Sequence, residues 1–177
     1  MTSMDEIMMR HGTDTATWHR YAPVYDSLFP DRASVLAVME IGVAEGASIR
    51  AWHEIFPNAL IVGFDHGPSP TCPRGERLEI HQGSQRDRRA ILNAAGERDF
   101  DLIIDDASHI LADQLCCLFW LWPLLKSGGY YVVEEFDIQD GVGPAGNLAS
   151  YGLLSGCRTI TTPSPNGDEL LVVVRKE

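Results

Sequence analysis

Long apolar runs are missing from this 177-residue chain. Its richest apolar stretch, Leu111 to Leu125, is broken by Asp113, Gln114 and Pro123, so no segment reads as membrane-spanning. Met1 to Arg20 is polar and has no apolar core segment, so it gives no sign of a secretory leader. Paired cysteines are missing too. Cys72, Cys116, Cys117 and Cys157 include no C-x-x-C, which leaves neither a zinc knuckle nor a disulfide framework as a reading and fits a reducing cytoplasm. Cys116 and Cys117 read as small core residues of a helix. Basic residues are scarce: 14 Lys and Arg stand against 25 Asp and Glu, a net charge of -11, with no basic stripe. That argues against nucleic acid or an anionic membrane as a partner and leaves a small neutral or cationic ligand open. Repeats, low-complexity tracts and long linkers are also lacking, and the length suits one domain, residues 1–177.

What is present is an alternation of strands and helices. Residues 1–33 are a polar, aromatic-dotted lead-in with weak helical signals. Val35 to Ile41 is a buried-strand run, and Gly46 to Phe56 reads as a helix stopped by Pro57. Ala59 to Phe64 is a second strand with Asp65 after it, Leu78 to His81 a third, and Asp87 to Ala95 a helix ended by Gly96. Asp101 to Asp105 is a fourth strand. Ile110 to Lys126 reads as a long apolar helix ended by Gly128-Gly129, and Tyr130 to Glu134 as a fifth strand. A weak helical signal lies near Leu148 to Leu154. Arg158–Thr162 and Glu169–Arg175 flank a Pro/Asn/Gly turn as a terminal hairpin. Such alternation implies an α/β protein with a mostly parallel sheet covered on both faces, whose ligands bind beyond the C-terminal strand ends. Chemistry-bearing residues gather at those ends.

The first such end is Glu40-Ile41-Gly42-Val43-Ala44-Glu45-Gly46. Its glycines allow a sharp turn and a close ligand approach. The G-x-G-x-x-G spacing of a dinucleotide site and the Lys-Ser/Thr of a phosphate loop are both absent. Glu45 would repel a pyrophosphate but tolerates a zwitterionic sulfonium tail. Asp65, 19 residues after Gly46, suits a carboxylate on ribose hydroxyls. At the fourth and fifth strand ends, Asp105, Asp106 and His109 face Glu134 and Glu135. Carboxylates converging on one crevice repel one another unless a cation or proton joins them, and magnesium-type ions favour such oxygens.

These segments, with His11-Gly12-Thr13-Asp14, His19 to Tyr25 and Gly128 to Glu135, resemble class I S-adenosylmethionine-dependent methyltransferases. The branch is the metal-dependent O-methyltransferases of natural-product sugars, of the macrolide, mycinamicin type. The resemblance is strong over residues 10–136. It implies a Rossmann-like fold: a seven-stranded, mostly parallel sheet with a C-terminal antiparallel hairpin and helices on both faces. It implies S-adenosylmethionine bound by Glu40, Gly42, Gly46, Ser48, Asp65, Ser84, Gln85 and Asp105. His19 and Tyr21 of the lead-in would close over it. It implies Mg2+ or another divalent cation on Asp106, Glu134 and Glu135, with His109 as general base and Asp106 as its catalytic partner. The implied reaction is methyl transfer to a hydroxyl of a small natural product, on a sugar moiety. Two positions depart from the family pattern: Glu135 stands where Asp is usual, and Ser84 where an acid is usual. A metal-independent methyltransferase, with His109 alone as base, and a non-catalytic cofactor-binding partner protein are the alternatives. The chain has no long N-terminal extension of the kind larger members carry, so the expectation is an open pocket or one completed in a homo-oligomer.

Overall fold

The computed structural model describes residues 2–137, 157–163, 165 and 169–177. The lead-in forms three short helices: α1 (Met4–His11), α2 (Asp14–Thr17) and α3 (Ala22–Leu28). Ser3 and Glu6 cap α1 reciprocally, and Gly12 in the left-handed region ends it. β1 (Ala37–Ile41), α4 (Ala47–Ile55), β2 (Leu60–Asp65), β3 (Leu78–Gln82), α5 (Arg88–Ala95) and β4 (Phe100–Asp105) follow. Then come α6 (Leu111–Leu121), β5 (Leu125–Asp137), β6 (Cys157–Pro163) and β7 (Glu169–Lys176). The sheet order is β3-β2-β1-β4-β5-β7-β6. The first five strands are parallel; β7 runs antiparallel to both β5 and β6. This is the expected α/β architecture, terminal hairpin included. Among the described residues no helix is long and apolar enough to cross a membrane.

Strand alternation builds two cores. Val38, Ile61, Leu102, Ile104 and Val132 face α1, α3 and α4, joining Met4, Tyr25, Ile49 and Trp52. Met39, Val62, Ile103, Tyr131 and Val133 face α5 and α6, joining Ile91, Cys117, Leu118 and Leu121. The lead-in therefore packs with α4 as part of the layer over one face of the sheet.

Two readings change. The long helix expected through Lys126 ends at Leu121. A short 3-10 turn, Trp122–Leu124, follows, and β5 already begins at Leu125. Pro123 cannot continue the helical hydrogen bonding, and Gly128 at φ +80° bends the strand start, where pairing with β4 is irregular. Cys116 is exposed, not core; only Cys117 of the pair is buried. The weak helix near Leu148–Leu154 lies outside the described residues.

Gly42 is the most closely packed of the described glycines. It sits at φ +89°, and a Cβ there would lie 2.1 Å from the Asp106 carbonyl oxygen. Its missing side chain is thus filled by the backbone leaving β4, not left open for a ligand. Gly42→Ala is expected to cost roughly 3 kcal/mol through overpacking and backbone strain, read as a lower denaturation midpoint with an unchanged slope; a midpoint equal to wild type would contradict this packing.

Candidate active site

The strand ends of β1, β2 and β4 are stitched together by backbone hydrogen bonds. The Gly42 amide donates to Phe64 (2.8 Å), and the Asp106 amide donates to Ile41 (2.8 Å). Over them opens a cavity of about 700 Å³, within the range of small-molecule sites. One end is lined by Gly42 to Glu45, Ser48, Asp65, His66, Gly83, Ser84 and Gln85; the other by Asp106, Ser108, His109 and Glu135. Gly12, Thr13, Asp14 and Thr17 of the lead-in form one wall.

Asp65 braces the turn it faces. One carboxylate oxygen accepts from the amides of Val43 (2.8 Å) and Ala44 (3.0 Å), the other from Gly67 (2.7 Å). Three residues expected at the cofactor do not line this cavity. Glu40 points toward α4, accepting from Ser48 Oγ (2.7 Å) and Trp52 Nε1 (3.0 Å). Asp105 points to the opposite face and accepts from Gln85 Nε2 (2.8 Å), so its part is to hold Gln85. Gly46, at φ +79°, leaves room for Cys72 and Pro73. Strand pleating explains the two acids: Glu40 shares a face with Val38, and Asp105 with Ile103. Tyr21 is fully buried, stacked beside His19 at 5.5 Å, and neither lines the cavity. Both pack within the lead-in, and Gly12, Thr13, Asp14 and Thr17 stand at the cavity instead.

At the other end, His109 Nδ1 lies 2.6 Å from Glu135 Oε2, and its Nε2 lies 3.4 Å from Asp106 Oδ1. Ligand-capable atoms of all three fall within 4.8 Å of one another. Glu134 does not join them. Its carboxylate accepts from Tyr25 Oη (2.5 Å) and Thr15 Oγ1 (3.2 Å) inside the lead-in core. A β-bulge causes this split. Val133 pairs with Val172 and Phe136 with Leu170, so one extra residue is inserted into β5. Glu135 is at φ +52° within that bulge. Glu134 keeps the face of Val132, while Glu135 is turned out of the alternation toward the cavity. His109 is likewise left-handed, at φ +53°. Backbone strain at both partners marks an over-determined site.

The electrostatics follow from burial and these pairs. Burial pushes the Glu40 carboxyl up to about 8, Asp105 up to about 7 and Asp106 up to about 6. Burial also raises Glu134 well above the carboxylate range. Hydrogen bonds to Asp106 and Glu135 push His109 up to about 10, and the His109 bond holds Glu135 below its usual range. A divalent cation is chemically suited to Asp106 and Glu135, two cavity-facing carboxylates otherwise balanced by a protonated imidazole. The donor set fits at those two residues and at His109; the third expected ligand, Glu134, is occupied elsewhere. The sequence reading missed the lead-in wall at Gly12 to Thr17, although Gly12-Thr13-Asp14 was among its family-like segments. It missed Arg86, which binds Asp113 at 3.0 Å on the rim.

No family model matches the chain. Its fold and relatives are those of class I S-adenosylmethionine-dependent methyltransferases. More particularly, it is similar to sugar O-methyltransferases of natural-product pathways. It is 34% identical, over 149 residues and 78% of its length, to the 8-demethyl-8-alpha-L-rhamnosyl tetracenomycin-C 2'-O-methyltransferase of Streptomyces olivaceus. It is 34% identical, over 126 residues and 66% of its length, to the mycinamicin VI 2''-O-methyltransferase of Micromonospora griseorubida. The chain spans 38% and 31% of those two relatives. The MycE methyltransferase of the mycinamycin biosynthetic pathway, solved with Mg, SAH and mycinamycin VI, superposes with a TM-score of 0.81 at 26% identity. That match covers 99% of this chain and 54% of that one.

The raised acids predict a pH profile. Glu40, Asp105 and Asp106 bind protons more tightly folded than unfolded, so stability falls as pH climbs from their ordinary values through 6 to 8. His109 adds the same sign up to about pH 10. Glu135 has the opposite sign, but only in acid below its ordinary range. Without added cation, the melting temperature is expected to drop steadily from pH 5 to pH 9, and Glu40→Gln to flatten the slope. A melting temperature rising over that interval would refute this electrostatic picture.

Proposed function

We propose that the chain is an S-adenosylmethionine-dependent O-methyltransferase. It acts on a hydroxyl of a small natural product, on a sugar moiety, with a divalent cation and His109 as base. The observation that carries this reading is the two-ended cavity: a braced glycine turn and Asp65 at one end, an acid-histidine cluster at the other. The relatives' glycosylated acceptors support a sugar hydroxyl here. The acid excess argues against nucleic acid, and a cytoplasmic setting suits such biosynthesis.

In this reading the backbone of Gly42 to Ala44 and the carboxylate of Asp65 bind the nucleoside, with Ser84 and Gln85 toward its base. Asp65 serves twice, since the same carboxylate fixes the turn. Asp106 and Glu135 would hold the cation, which when bound acidifies and orients an acceptor hydroxyl as a Lewis acid. His109 takes the hydroxyl proton onto an imidazole nitrogen, for which it must first be neutral. Asp106 and Glu135 keep that ring protonated for as long as both oxygens serve it, so their commitment elsewhere frees the base. The cavity walls then hold hydroxyl and methyl in line.

The withdrawal of Glu134 into the Tyr25 contact favours one second reading, metal-independent transfer with His109 as sole base. Methyl transfer to glycosides, assayed with Mg2+ and with chelator, separates the two. Asp106→Ala is expected to lower turnover about 100-fold or more, and His109→Ala about 100- to 10,000-fold with cofactor affinity retained. Calorimetry with S-adenosylmethionine is the underlying check: a protein that does not bind it is not this enzyme.

A further inference from the structure

The lead-in touches both acids at the β5 bulge. Tyr25 and Thr15 hold Glu134, and His19 Nε2 lies 2.8 Å from Glu135 Oε1. The opposite oxygen of Glu135 faces His109 at 2.6 Å. Glu135 is thus gripped at its two oxygens by two histidines, one from the lead-in and one from the β4 exit. His19 is the more buried, with 7% of its side chain exposed against 37% for His109. Glu135 also sits in a bulge at positive φ, a conformation without local support from the sheet ladder. We infer that His19 is a positioning residue: it fixes the strained Glu135 carboxylate so that its second oxygen is presented to the Asp106–His109 cluster.

This rests on the proposed metal-assisted reading and adds a specific role for the lead-in. The longer Glu, where the resembling family has Asp, has the reach to meet His19 on one side while serving the cavity on the other. His19 also follows the lead-in wall of the cavity by two residues, so the same segment meets both the cavity and Glu135. A carboxylate's outer hydrogen-bond partner sets its orientation as a ligand, and losing such a partner costs about 10- to 100-fold in metal affinity.

The test uses Mn2+, followed by electron paramagnetic resonance, alongside calorimetry with S-adenosylmethionine and a thermal melt for each variant. His19→Ala is expected to weaken Mn2+ binding about 10- to 100-fold while leaving S-adenosylmethionine affinity within about twofold. Since a buried position tolerates truncation poorly, two polar variants guard against misfolding. His19→Gln keeps an N–H donor of similar reach and is expected to restore most of the affinity; His19→Asn, shorter by one methylene, is expected to behave as Ala. Folded Asn and Ala variants with wild-type Mn2+ affinity would overturn the assignment of His19 alone. Equal weakening in Gln, Asn and Ala, or parallel loss of both ligands, would reduce His19 to a packing residue. A wild-type protein that binds no Mn2+ would overturn the metal reading, and this inference with it.

Discussion

The exit of β4 lies directly on the first turn of β1. The Asp106 amide donates to Ile41, and the Asp106 carbonyl occupies the space a Cβ would need at residue 42. Because Gly42 also donates to Phe64 at the end of β2, three parallel strands finish at one fixed level. The cavity residues of β1, β2 and β4 are hung from that level. Asp65 reaches across to the turn amides, Asp106 arrives beside the cavity, and His109 follows three residues later on a left-handed backbone. A side chain at residue 42 would push β4 away and pull the acidic end of the cavity from the glycine-turn end. The glycine therefore serves the spacing between the two halves of the site.

The sheet's pleat then sorts the acids into two kinds. Glu40, Asp105 and Glu134 follow the alternation and enter the two cores, where burial raises their proton affinity and each meets hydroxyl, amide or indole donors. They anchor neighbours: Glu40 anchors α4, Asp105 anchors Gln85, and Glu134 anchors the lead-in. Asp106 and Glu135 escape the alternation, one by lying just past its strand and the other by a bulge. Of these five acids, only Asp106 and Glu135 line the cavity. A residue count along the strand cannot tell these cases apart, because adjacent carboxylates differ only in which side of the backbone they leave.

That is the limit of what the chain's letters carry. Strand-helix alternation, the glycine turn and the acids at strand ends are local patterns, and they yield the sheet, its hairpin and the side of it on which chemistry occurs. The sheet order adds nothing the alternation contradicts. The identity of Asp106 and His109 as a pair was also legible, being three residues apart at one strand end. The sealing of Glu134 and the turning-out of Glu135 were not. The first depends on contacts more than 100 residues away and the second on one inserted residue in β5, and neither leaves a periodicity. The helix end at Leu121 was legible in Pro123 but was outweighed by the apolar run that continues past it.

The cluster at the acidic end carries its own logic of exclusion. Glu135 and Asp106 are the oxygens that keep His109 protonated, and they are the same oxygens a divalent cation would take. Imidazolium and cation compete for one pair of carboxylates, because either satisfies charges that cannot stand together unbalanced. In the proposed reading the base is therefore neutral chiefly when the cation is in place, and protonation of His109 in turn weakens cation binding. Such linkage makes both effects reciprocal. It would keep the histidine from acting as a free base before the acceptor's oxygen has been oriented. The lead-in belongs to the same balance, because His19 shares Glu135 with His109 and stands next to the wall that closes the cavity.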